Sequence, residues 1–143
     1  MSRNDPLRNV RFRVEIDGED TAGFSEVSGL STETDVVEYR EGNEKQSIVR
    51  KLPGLNKVAN VTLKRGITDS MALWEWRKAI MDGEIIRKNV RIVVLDEARQ
   101  DRVTFQIREA WVVKYEASDL NADGNDVLIE TVELAHEGFE RES

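Results

Sequence analysis

Val61–Gly83 reads VTLKRGITDSMALWEWRKAIMDG, and its interpretation decides the fold. Val61 and Leu63 alternate with Thr62 and Lys64, the period of two of a half-buried strand. Gly66 ends that strand. A helix is expected over about 69–82, with Thr68 or Asp69 accepting the free N–H groups of its first turn. Its apolar residues fall in two rows at helical spacing. Met71, Trp74, the stem of Lys78 and Met81 make one; Leu73, Trp76 and Ile80 make the other. Arg77 and Lys78 suit the last turn, and Gly83 suits the left-handed position just beyond it. No other segment carries a helical pattern. A single helix among strands must cover something, and the open side of a β-sheet is the expected partner. Trp74, Trp76 and Ile80 would pack there, each tryptophan burying on the order of 150–250 Å². A stacking platform for a sugar or a base is the alternative for the two tryptophans.

The flanking sequence supplies the strands. Val10, Phe12, Val14 and Ile16 alternate with Arg11, Arg13 and Glu15, and Asp17-Gly18 turns the chain. In TAGFSEVSGLST, residues 21–32, Phe24 and Val27 stand three apart between Gly23 and Gly29, which signals a bulge or bend. Glu33–Glu41 reads as a strand with Val37 and Tyr39 on one face. Val90–Leu95 is apolar on nearly both faces, so it is buried on two sides or touches another subunit. The longest alternation puts Val103, Phe105, Ile107, Trp111, Val113 and Tyr115 on one face, interrupted by Glu109, and Ala110 and Val112 on the other. Asp119–Asp126 is a polar loop, Val127–His136 the last strand, and Glu137–Ser143 a polar end.

Residues 42–57, GNEKQSIVRKLPGLNK, differ from the rest. Pro53-Gly54 is a strong turn signal, and the stretch is too long for a tight hairpin. Excursions of this length are usually functional or disordered, and Ile48, Leu52 and Leu55 need something to pack on. The fold expected is mainly β: an antiparallel barrel or sandwich of about seven or eight strands with one flanking α-helix. It forms a single domain over 1–143, with an extended loop at about 42–57.

The chain has 143 residues, enough to bury about two-thirds of its unfolded surface without staples. It has no cysteine, which excludes disulfides and thiolate metal sites. The net charge of −7 argues against a nucleic-acid binder driven by bulk charge. MSRNDPLRN has no apolar run, so no Sec-type signal is expected, and no stretch approaches the ~20 apolar residues of a spanning helix.

The sharpest chemical motif is DLNADGNDVLIE, Asp119–Glu130, which fits the spacing of a calcium loop. Asp119, Asn121 and Asp123 would ligate by side chain, Asn125 by its carbonyl and Glu130 with both oxygens. The flanks alternate as strands, whereas an EF-hand needs helices. A polar hairpin connection is therefore the favoured reading, and a small calcium- or ligand-binding β-module the alternative. His136 is the single histidine, without cysteine or a second histidine for zinc. Glu130 and Glu133 point to opposite faces of a strand and cannot flank one bond. No nucleophile, base and oxyanion donor come together, so no enzyme activity and no cofactor are expected.

Several segments resemble the tail tube proteins of contractile phages and of phage-tail-like contractile injection systems. They are DPLRNVRFRVEIDG, GFSEVSGLSTETDVVEYREGN, KLPGLNKVANVTLKRGITD followed by LWEWRK, and VLIETVELAHEGFE. The resemblance implies a β-barrel of two packed sheets with a helix at its side. It implies hexameric rings stacked into a hollow tube, which sheath contraction drives through a target membrane. Implied partners are further copies of the chain, a sheath protein, baseplate and tube-initiator or terminator proteins, and effector cargo or DNA in the lumen. Assembly in the bacterial cytoplasm, as part of a phage tail or phage-tail-like particle, follows. A type VI secretion-like tube protein is a variant of the same reading. On this resemblance residues 42–57 would reach the adjacent ring. Ile48, Leu52 and Leu55 would dock there around Pro53, and Lys45, Arg50 and Lys51 would pair with acids.

Overall fold

The alternating stretches do fold as strands. The computed structural model describes residues 11–21, 23–40, 42, 49–122, 124 and 127–143. In chain order the elements are β1 (Arg11–Ile16), β2 (Glu19–Thr21), β3 (Phe24–Ser28), β4 (Thr32–Tyr39), β5 (Arg50–Val58), β6 (Val61–Gly66), α1 (Ala72–Met81), β7 (Lys88–Leu95), β8 (Asp101–Ala117), β9 (Ile129–Ala135) and β10 (Gly138–Arg141). Eight strands make one antiparallel sheet in the order β2, β1, β7, β8, β9, β6, β3, with β10 beside β8; β4 and β5 form a separate two-stranded ribbon.

Strand β8 runs for 17 residues and belongs to both halves of the sheet. Its first part pairs with β7 and its second with β9. The sheet therefore turns over on itself around one core. Val14, Ile16, Val90, Ile92 and Ile107 come from one half, and Val61, Leu63, Val112, Val132 and Leu134 from the other. The ends of the path, β2 and β3, do not pair with each other. The result is a sandwich-like fold, not a closed barrel.

The turn-over has a local cause. Glu109 has φ 52, and the pairing jumps from Lys88 opposite Ala110 to Val90 opposite Ile107. The extra residue is a bulge, and it brings Ala110 and Val112 to the inward face; a second register shift, between Val112 and Lys114 against β9, returns Tyr115 to that face. This corrects the single face expected for β8: Ile107, Ala110 and Val112 are buried, whereas Trp111 and Val113 are only half-buried. The bend expected at Phe24–Val27 is a bulge too, with a register shift between Phe24 and Glu26 against β6. In β7, Val90, Ile92 and Val93 are all buried, so the strand is covered on both faces within the chain.

Helix α1 lies on β8, with Leu73 and Trp76 buried and Ile80 packed against the core. The Trp76 Nε1–H donates to the Ile86 carbonyl at 2.7 Å, which satisfies its polar edge. Trp74 is not core. It is 37 % exposed, edge-on to Tyr115 with ring centroids 5.3 Å apart. The start of α1 is also later than expected. Its N-cap is Met71, and the Ser70 hydroxyl, in place of Thr68 or Asp69, accepts from the Ala72 N–H at 3.4 Å.

The end of α1 is the expected one. Gly83 has φ 96, its N–H donates to the Ile80 carbonyl, and the Glu84 N–H donates to the Ala79 carbonyl. This double closure needs a left-handed residue. Gly83→Ala should cost about 1–2 kcal/mol, read from urea unfolding midpoints. Wild-type stability in that variant would show the turn to be unimportant.

Candidate assembly interface

Among its described residues, the stretch expected as a loop is mostly strand. Arg50, Lys51, Leu52, Pro53 and Leu55 lie on β5, paired along β4 with Val36 opposite Pro53 and Val37 opposite Leu52. Lys45 and Ile48 lie outside the described residues. Pro53-Gly54 is therefore inside a strand and not at a turn. Two features permit it: the register slips between Thr34 and Val36, and among the described residues β5 has no second partner that needs the missing proline N–H.

A two-stranded ribbon cannot bury either of its own faces. Val37 and Leu52 share one face, and Val36 and Pro53 the other. Val36 is 61 % exposed and Leu55 74 %. Across the ribbon Lys57 Nζ lies 3.1 Å from Asp35 Oδ2, and the Thr34 hydroxyl donates to Asn56 Oδ1 at 2.7 Å. These polar contacts set the pairing, yet leave the apolar side chains in water.

The ribbon meets the body at its foot. Gly29, at φ +91, lies so close to the Asn60 carbonyl that a Cβ there would come within 2.1 Å of its oxygen. The Ala59 N–H donates to the Ser31 carbonyl at 3.2 Å, and Asn60 Nδ2 donates to Glu133 on β9 at 3.2 Å. His136, beyond the end of β9, places Nε2 2.8 Å from the Ala59 carbonyl. The sequence alone gave His136 no role; nothing local signals a contact with a residue 77 positions away.

The main sheet buries one charged pair. Arg65 continues the inward parity of Val61 and Leu63, and Glu130 that of Val132 and Leu134. Arg65 Nε donates to Glu130 Oε1 at 2.5 Å, and the Tyr115 hydroxyl donates to Oε2 at 2.6 Å. Arg65 also lies over the Phe24 ring, 5.4 Å from its centroid. Both oxygens of Glu130 are thus engaged in the core, and neither is directed to the loop that a calcium ion would occupy. Of the other residues of that motif, Asp119 and Asn121 precede β9 in a polar connection, and Asp123 and Asn125 lie outside the described residues. Among the described residues no group of three or more His, Asp or Glu is placed to hold a metal ion.

Burial, and then the hydrogen bond to Glu130 with its negative charge, pushes the Tyr115 hydroxyl up to about 12. An unfolded tyrosine releases its proton near about pH 10. Between those values the unfolded chain binds fewer protons than the folded one, so stability falls as pH rises. The contribution is fully present below about pH 10 and gone above about pH 12. Tyr115→Phe should flatten the decline of the urea midpoint across this window, whatever it does to the midpoint at neutral pH. Equal slopes for the two proteins would refute the coupling.

Comparison with known proteins agrees with this architecture. The sequence model of the family described as T4-like virus tail tube protein gp19 matches residues 8–140. No curated protein matches the sequence significantly. Among solved structures, a chain of the anti-feeding prophage baseplate is 25 % identical, with TM-score 0.81 over 99 % of this chain and 97 % of that one. A chain from the sheath–tube complex of an extracellular contractile injection system, PVC, in its extended state is 24 % identical, with TM-score 0.87 over 98 % and 93 %. Hcp1 from Flavobacterium johnsoniae has the same fold at 17 % identity, with TM-score 0.60 over 92 % and 94 %.

Proposed function

The chain belongs to the T4-like virus tail tube protein gp19 family, and from that premise we propose that copies of it form hexameric rings that stack into a hollow inner tube. A contractile sheath surrounds the tube and drives it through a target membrane. The chain is then a structural subunit and performs no catalytic step. The observation that carries the reading is the β4–β5 ribbon, which holds apolar side chains in water on both faces and, among the described residues, has no cover. Its natural cover is another copy, in the adjacent ring. There Leu52 and Leu55 dock while Arg50 and Lys51 face acidic side chains, and Lys45 and Ile48 extend the same contact. The ends of the main sheet, at β2 and β3, offer free strand margins for neighbours in the ring.

Similar chains come from a baseplate and from a sheath–tube complex, which supports the proposal of baseplate and sheath proteins as partners, alongside tube-initiator and terminator proteins. Effector proteins or DNA would travel in the lumen. Assembly takes place in the bacterial cytoplasm. Among the described residues no helix is long and apolar enough to cross a membrane.

The test is Leu52→Glu combined with Leu55→Glu. Both side chains are exposed in the isolated chain, so folding should be retained. Burying two carboxylates at a subunit contact costs several kcal/mol, so sedimentation should show subunits or single rings where the wild type forms long assemblies. Assembly of the variant at wild-type concentration would overturn the role given to the ribbon.

A further inference from the structure

Among the described residues the ribbon joins the body through two short segments, 29–31 and 59–60, and neither β4 nor β5 packs extensively on any element of the body. Its direction is therefore set at the foot. Four contacts gather there: the close approach of Gly29 to Asn60, the Ala59 N–H to the Ser31 carbonyl, Asn60 to Glu133, and His136 to the Ala59 carbonyl. Two of them come from one strand and the residue beyond it, β9 and His136, which are tied into the centre of the sheet through β8 and β6.

The imidazole suits this task because its two nitrogens are committed in opposite senses. The Gly138 N–H donates to Nδ1 at 3.1 Å, so Nδ1 carries a lone pair and the ring proton sits on Nε2. Nε2–H then donates to the Ala59 carbonyl. The ring is held by β10 on one side and holds the foot of the ribbon on the other. The Phe139 ring lies 6.2 Å from its centroid, edge to face, and limits its rotation.

We infer that His136 is a positioning residue for self-assembly: it fixes the angle at which the β4–β5 ribbon leaves the body, and so where the ribbon meets the next copy. The assembly consequence rests on the tube-subunit reading, whereas the clamp itself does not and can be tested on the isolated subunit. The test compares amide hydrogen exchange at Ala59, the foot of the ribbon, with exchange at Leu63, in the middle of β6. In His136→Ala, exchange at Ala59 and along the ribbon should rise about 2- to 10-fold, the worth of one hydrogen bond, with Leu63 unchanged. His136→Gln, which can still donate to Ala59, should restore most of the protection. If alanine prevents folding, His136→Phe keeps the ring volume, removes both nitrogens and is read at the same two amides. Unchanged exchange at Ala59, or equal acceleration at Ala59 and Leu63, overturns the inference. An assembly defect in His136→Ala without the exchange change would leave the tube reading standing and remove the clamp.

Discussion

Glu130→Ala should be among the most damaging single substitutions in the chain, costing about 3–5 kcal/mol in urea unfolding. Arg65 is 2 % exposed, and without Glu130 its guanidinium has no counter-charge in the core. Its Nη2 already lacks a hydrogen-bond partner. The loss measures a stranded charge, not the net worth of the pair. Taking two charges out of water costs about as much as their attraction returns. The double variant Arg65→Met with Glu130→Leu should therefore recover most of the deficit, to within about 2 kcal/mol of wild type or better. Tyr115 is half-buried and can turn its hydroxyl to water once its acceptor is gone. Equal instability of the single and double variants would show that the pair itself stabilises the fold.

Gly29→Ala should be comparably severe, for a steric reason. An alanine there adopts a left-handed φ and also drives its Cβ into the backbone oxygen of Asn60. Backbone cannot rotate away as a side chain can. The corner between β3 and β4 must part from the corner between β5 and β6, and the foot of the ribbon opens with it. The expected cost is about 3 kcal/mol or more. Gly23→Ala separates the two causes: its φ is +89, nothing lies within 4 Å of the added carbon, and only the backbone penalty of about 1–2 kcal/mol remains. Equal costs at the two positions would mean that the close approach is unimportant.

Much of this architecture could be read from the chain because period and burial agree. The core rows of β1, β6 and β9 are where alternation places them, and Leu73, Trp76 and Ile80 form the buried row of α1. Gly83 closes the helix as its position after the last apolar residue suggests. The misreadings have physical causes. Pro53-Gly54 signals a turn on local grounds, but a ribbon with no outer neighbour among the described residues tolerates it. A periodicity count cannot register the bulge at Glu109, since one extra residue reverses the phase until the next irregularity, between Val112 and Lys114. The short β10, Gly138–Arg141, looks like a polar end because its partner Phe105–Arg108 is thirty or more residues away in the chain. Arg65 and Glu130 carried a usable signal, each at an inward position of an otherwise apolar row. Their pairing, 65 residues apart, became visible only when β6 lay beside β9. Of the proposed assembly interface, Leu52 and Leu55 could be singled out from the sequence as apolar side chains in need of a partner, whereas Val36 and the foot at Ala59 and His136 depend on the register of β4 against β5 and on contacts across the fold.

Cryo-electron microscopy of the purified, concentrated protein tests the central claim most directly. The expected image is of rings or hollow rods in which each ribbon lies against another copy and the main sheet continues into its neighbour at β2 and β3. Particles that stay monomeric at high concentration and with baseplate partners added, their ribbon folded back on their own body, would contradict it.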